Sequence, residues 1–146
     1  MKMAIAAVLL ALSAGSAVAQ TKQAIATKDA PEAIGPYSQA IKVGTTLFLA
    51  GQIAIDPKSN KMIDATDIEA QTKLTLENLK AVVEAAGMTM DDIVSTSVFM
   101  ADLNDFAKMN AVYANYFKDK PPARATVQVA RLPRDAKVEI SAIAAR

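Results

Sequence analysis

An α+β domain is what this sequence predicts, on three observations. Short β-branched and apolar runs of period two fill the beginning and the end of the domain, two stretches between them change to the three- and four-residue steps of a helix, and one further strand-like run separates the two helices. The order is therefore strands, helix, strand, helix, strands, and 146 residues is the length of one domain. No repeat, low-complexity stretch or linker interrupts it.

The first strands lie in "KQAIAT" and "YSQAIKVGTTLFLAGQIAI", with Val43-Gly44 as a turn and Asp56 to Asn60 as a loop, which together read as a β-meander. From Asp67 the period lengthens. Ile68, Leu76, Leu79, Val83 and Ala86 stack on one face, Thr66 is the expected N-cap, and Gly87 stands where a C′ glycine ends a helix. A β-branched run from Ile93 to Met100 is the next strand, after which Asp102 or Asn104 caps the second helix. There Phe106, Tyr113 and Phe117 form a stripe, and Asn110 falls on it. A side-chain amide on an apolar stripe is either a core asparagine bonded to backbone or part of a site.

The last two strands are expected at Arg124 to Ala130 and Lys137 to Ala144, joined across Leu132-Pro133-Arg134-Asp135. Alternation puts Arg124, Thr126 and Gln128 on one face of the first, opposite Val127 and Val129. In the second, Val138, Ile140 and Ala142 share a face and Glu139 points the other way with Ser141 and Ile143. A cation and a carboxylate thus stand on successive strands. They fit an ordinary cross-strand ion pair, or a site in which Arg124 grips a carboxylate through its two-donor fork while Glu139 manages a water. Periodicity does not choose between the two.

Composition removes many other chemistries. With no histidine and no cysteine, triad catalysis, imidazole proton shuttles, ordinary zinc sites and disulfides are excluded, so a carboxylate, lysine, tyrosine or arginine must carry any reaction. The segment "MKMAIAAVLLALSAGSAVA" has the order of an export signal: Lys2, an apolar run from Ala4 to Leu12, and the small-residue triplet Ala17-Val18-Ala19 before Gln20. A membrane anchor or a core helix is the competing reading, but the run is short of the roughly 20 apolar residues that a bilayer span needs. The expectation is a signal peptide over residues 1–19, a mature domain over 20–146, and a periplasmic or secreted address. Lys2 is the only charged residue in the signal, so its loss turns 16 cations against 15 acids into formal neutrality. Neither nucleic acid nor an anionic membrane is then an expected partner.

Several stretches together resemble the RidA (YjgF) family of small 2-iminobutanoate/2-iminopropanoate deaminases. "APEAIGPYSQAI", "AGQIAIDP", "TLENLKAVVEAAG" and "VFMADLNDFAKMNAVYANYF" are similar to its successive motifs, and "PPARATVQVARLPRDAKVEISAIA" to its signature. The resemblance implies a chorismate-mutase-like fold, a mixed sheet backed by two helices, assembled as a homotrimer with sites between subunits. It makes Arg124 the carboxylate-binding residue and Glu139 the acid that positions or activates water. Tyr37, Gly51 and Asn110 match cleft residues, and Thr126 stands where many members carry cysteine. Ala50 and Ala125 replace frequent serines, a departure that touches substrate preference, and the export signal departs from the mostly intracellular relatives.

The reaction so implied is hydrolysis of a 2-imino acid to a 2-keto acid and ammonia, without metal or organic cofactor. The ligand carries a carboxylate for Arg124 and an electrophilic C=N carbon for a placed water. Two other classes are compatible with the resemblance: a small-carboxylate-binding or holdase-like protective module, and the endoribonuclease activity attached to some relatives. The near-neutral charge and the missing histidines weigh against the last.

Overall fold

The structure, a computed structural model, describes residues 21–63 and 66–146. The expected signal peptide and the Gln20 start lie outside the described residues. The elements run β1 (Lys22–Ile25), β2 (Ala40–Val43), β3 (Thr46–Gln52), β4 (Ile55–Asp56), β5 (Lys61–Met62), α1 (Ile68–Ala85), β6 (Ile93–Met100), α2 (Phe106–Tyr113), β7 (Ala123–Gln128) and β8 (Val138–Ala145). This is the expected α+β order, with one addition: the loop after β4 is closed by a small β4–β5 hairpin.

The six-stranded sheet has the order β1-β2-β3-β8-β6-β7. The meander β1-β2-β3 is antiparallel, as the turn at Val43-Gly44 requires, and Gly44 takes φ 58° there. β6 and β7 are parallel, so they need a crossover, and α2 supplies it. The last strand does not pair with β7; it enters antiparallel between β3 and β6. Val138, Ile140, Ala142 and Ala144 thereby sit at the centre of the sheet, all buried, while edge strand β7 stays exposed.

One sheet face is covered by both helices. Leu47, Leu49, Val98, Met100 and Ile140 from the strands pack against Leu76, Leu79, Val82 and Val83 of α1 and Met109 and Tyr113 of α2. Among the described residues nothing covers the opposite face, and Phe48, Val127 and Ile143 are exposed on it.

Both ends of α1 are closed by local chemistry. The N-cap is Asp67, one residue after the expected Thr66, because its carboxylate accepts from Glu69 N at 3.1 Å and Ala70 N at 3.3 Å. At the other end Gly87 N donates to Glu84 O at 2.9 Å and Met88 N to Val83 O at 3.1 Å, a Schellman motif, and Lys42 Nζ adds a 3.1 Å bond to Ala86 O. The second helix is shorter than its apolar stripe. Asp102 caps a 3₁₀ turn at Leu103–Asp105, accepting from Asn104 N at 2.8 Å, and Asn104 caps nothing. α2 proper ends at Tyr113, where i→i+3 bonds from Asn115 N and Tyr116 N tighten the chain. Phe117, past the end, stays buried because its ring packs 4.6 Å from that of Tyr113.

Gly87 adopts φ +75°, and a β-carbon added there would meet nothing within 4 Å. Gly87→Ala should therefore cost conformational energy alone, about 1 kcal/mol. Urea denaturation checks this: the midpoint should fall with the slope unchanged, and an unchanged midpoint would refute the αL requirement.

Candidate functional site

The site begins at an irregularity in β3. Leu49 pairs with Ala142 and Gln52 with Ile140, so Ala50 and Gly51 together face the single residue Ser141, which is a β-bulge. Glu139, next along β8, lays its carboxylate over Gly51. A β-carbon at Gly51 would collide with Glu139 Oε1 and lie 2.8 Å from Cδ and 2.9 Å from Cγ, so only glycine leaves room for this conformer. Gly51 is thus needed for its missing side chain.

The bulge and Glu139 form one side of a cavity of about 370 Å³ whose other walls include Tyr37, Ile34, Ile53, Ile55 and Pro133, with Glu32 as a second acid. Two buried amides hold these walls in place. Gln39 accepts from Thr27 N at 2.6 Å and donates to Thr27 O, Ala30 O and Pro31 O at 3.1, 3.3 and 2.7 Å, pinning the segment that leads to Glu32 and Tyr37. Asn78, on the buried face of α1, donates to Ile53 O at 3.1 Å and Ile55 O at 2.9 Å. Sequence reasoning missed both. The available signal was a polar amide within an apolar stretch, which has to find partners when buried.

Glu139 is half-buried, and loss of solvent pushes its carboxyl pKa up from the ordinary glutamate value. No cation among the described residues offsets the shift. A group desolvated in a cavity and kept closer to neutrality suits proton transfer to and from water.

Of the six residues expected in the site, the cavity unites Tyr37, Gly51 and Glu139. Arg124, Asn110 and Thr126 lie elsewhere. Arg124 registers on Thr96 and Thr126 on Val98, both buried under the helices, so Arg124 and Thr126 face α2. Glu139 registers on Phe99 and faces the uncovered side. The cross-strand ion pair that the spacing allowed is therefore ruled out within one chain, since β6 stands between the two strands and the side chains leave opposite faces. Arg124 instead rests over aromatic rings, its Cζ 4.6 Å from the centroid of Tyr113 and 5.7 Å from that of Phe106. Asn110 sits between those rings along α2, half-buried, and its side chain has no hydrogen bond to any described residue. It is not a backbone-bonded core asparagine.

A family model described as "Endoribonuclease L-PSP" matches residues 27–146. The chain belongs to this family, whose members include the RidA proteins. A RutC family protein of Pyrococcus horikoshii is 54% identical over 84% of this chain and 97% of its own length. A 2-iminobutanoate/2-iminopropanoate deaminase of Salmonella typhimurium is 52% identical over 84% and 96%. Among solved structures, Escherichia coli TdcF with bound serine superposes with a TM-score of 0.81 at 46% identity, covering 85% of this chain and 98% of that one. RidA from an Antarctic Psychrobacter gives 0.81 at 43% identity, over 85% and 99%.

The raised pKa of Glu139 has a consequence for stability. The folded protein binds that proton more readily than the unfolded chain, so this group weakens the fold increasingly as pH rises from the ordinary carboxylate range through the folded pKa. Glu139→Gln should raise the melting temperature at neutral pH, with the gain vanishing as the pH falls through the ordinary carboxylate range. Calorimetry across that range tests it, and a variant no more stable than wild type at pH 7 would contradict the desolvation argument.

Proposed function

We propose that this protein hydrolyses 2-imino acids to 2-keto acids and ammonia, at a site assembled from two copies of the chain. The observation that carries the reading is the desolvated, uncompensated carboxylate of Glu139, folded over Gly51 in an apolar-walled cavity. The family relation to proteins bearing the 2-iminobutanoate/2-iminopropanoate deaminase name supports it. So does the serine bound in TdcF, a ligand with a carboxylate of the kind that Arg124 is proposed to grip.

In this account Arg124 of one copy binds the substrate carboxylate while Glu139 of another faces the C=N carbon, with Tyr37, Gly51, Asn110 and Thr126 lining the cleft. Water adds its oxygen to the imine carbon as one water proton passes through Glu139 to the nitrogen, giving a carbinolamine. The carbinol O–H proton then passes by the same carboxylate to the amine. The C–N bond breaks, ammonia leaves and the C=O bond forms. Each step uses Glu139 in both protonation states, which a pKa raised toward neutrality favours. No metal or organic cofactor takes part.

The uncovered sheet face supports the multi-copy site. It presents Phe48, Val127 and Ile143 to solvent in one chain and lies on the same side as Glu139, so a second copy packed there buries apolar surface and closes the cavity together. A homotrimer is the proposed assembly. Export through residues 1–19 remains part of the proposal, with the described domain acting on imines outside the cytoplasm.

The test is direct. With 2-iminobutanoate or 2-iminopropanoate generated by an amino-acid oxidase and survivors trapped by semicarbazide, the protein should reduce trapping. Glu139→Gln should lower kcat by 10² to 10⁴-fold, roughly the worth of one acid-base group. Arg124→Ala should act mainly on KM, by about 10- to 100-fold, as expected for hydrogen bonds to a charged group. Wild type that lowers trapping no more than buffer overturns the deaminase reading. Retained, Arg124-dependent binding of a 2-keto acid in that event points to a carboxylate-binding module, and salt-sensitive RNA binding to the activity in the family description.

A further inference from the structure

The guanidinium of Arg124, on an exposed strand, rests against aromatic rings. Among the described residues no carboxylate or carbonyl pairs with it, and its Cζ lies over the rings of Tyr113 and Phe106, 4.6 and 5.7 Å from their centroids. The nearer ring is itself fixed. Tyr113 is buried, its hydroxyl shares a 2.7 Å hydrogen bond with Thr96 Oγ1, and the ring of Phe117 packs 4.6 Å away. Thr96 is the β6 residue that registers on Arg124, so the strand carrying the arginine and the helix carrying its ring are tied at one level of the sheet.

We propose that Tyr113 is a positioning residue for Arg124, holding the guanidinium by its face so that its N–H edge stays free for a ligand carboxylate. The inference rests on the reading of Arg124 as the carboxylate binder. Its physical basis is the geometry of the group. A guanidinium stacked on an aromatic ring spends its π-face in the contact, whereas the donors that match a carboxylate lie in the plane at its edge. An ion pair with an internal carboxylate would hold the side chain equally well but occupy those same donors. An unheld arginine would keep the donors free and lose rotamer freedom on binding. The aromatic support avoids both penalties. Tyr113 remains a neutral phenol in this role, because burial raises its pKa above the usual tyrosine value. Phe106, more exposed and farther from the guanidinium, is the weaker support.

Two measurements on the full-length protein test this, with 2-ketobutanoate as the ligand probe. In proton NMR, the Arg124 side-chain resonances, assigned by comparison with Arg124→Lys, should be shifted upfield by the ring currents of wild type and should move back in Tyr113→Leu. In binding and kinetics, Tyr113→Leu should raise the Kd for 2-ketobutanoate and the KM for the imine by roughly five- to tenfold while leaving kcat within about twofold. Tyr113→Phe keeps the ring and should restore Kd and KM to within about twofold of wild type even where the lost Thr96 bond lowers the melting temperature. Phe106→Leu, at the exposed ring, should move Kd in the same direction by less, and it keeps the test available if Tyr113→Leu does not fold. A Tyr113→Leu protein that melts earlier but keeps wild-type Kd and KM overturns the positioning role, as does the absence of an upfield shift in wild type. If Arg124→Ala binds 2-ketobutanoate as tightly as wild type while the ring-current shift is present, the carboxylate-binding reading itself fails and takes the functional part of the inference with it.

Discussion

A side chain on a β-strand reaches one face of its sheet, and that constraint governs this molecule. Glu139 leaves β8 toward the uncovered face, Arg124 leaves β7 toward the helices, and β6 lies between them. No rotamer change brings the two together in one chain. A site that uses both must be completed by another copy, and the face that Glu139 shares with Phe48 and Ile143 is the one that the described residues leave without cover. On the proposed function, chemistry and assembly would both follow from one alternation pattern. The strand that contributes the acid also contributes the apolar surface expected to bring the copies into contact.

Within the chain, the acid half is built by removing freedom from backbone. The bulge at Ala50-Gly51 creates a gap in β3, Gly51 leaves it unfilled, and the Glu139 carboxylate occupies it at the cost of solvation. Gln39 and Asn78 fasten the adjoining segments by six hydrogen bonds from buried amides, which an apolar side chain of the same size could not replace. The basic half is built differently, with an aromatic platform under Arg124 and no competing anion. One half therefore keeps a carboxylate poorly solvated and the other keeps a cation's donors free.

Much of this was legible in the sequence. Alternation correctly paired Arg124 with Thr126 and Gln128, and set Glu139 against Val138 and Ile140, because burial of one strand face imposes period two. The helical face of Ile68, Leu76, Leu79 and Val83 and the C′ role of Gly87 followed from equally local rules. Strand order did not follow. Consecutive strands usually neighbour one another, and here β8 enters between β3 and β6, which separates Arg124 from Glu139 and removes the ion pair that spacing allowed. The cap at Asp67 in place of Thr66 was a one-residue choice between two good caps, decided by which oxygen reaches Glu69 N and Ala70 N. The partners of the buried amides and the place of the bulge did not follow from the sequence for a common reason: both depend on contacts distant along the chain.

Subunit complementation tests whether Arg124 and Glu139 act from different copies of the chain, as proposed. Arg124→Ala and Glu139→Gln chains, each impaired alone in imine hydrolysis at substrate well below KM, should regain activity when co-produced and purified as mixed assemblies, because some interfaces then join an intact Arg124 to an intact Glu139. Mixed assemblies no more active at limiting substrate than the average of the two parents, under conditions where wild-type chains exchange and turn over, would contradict it.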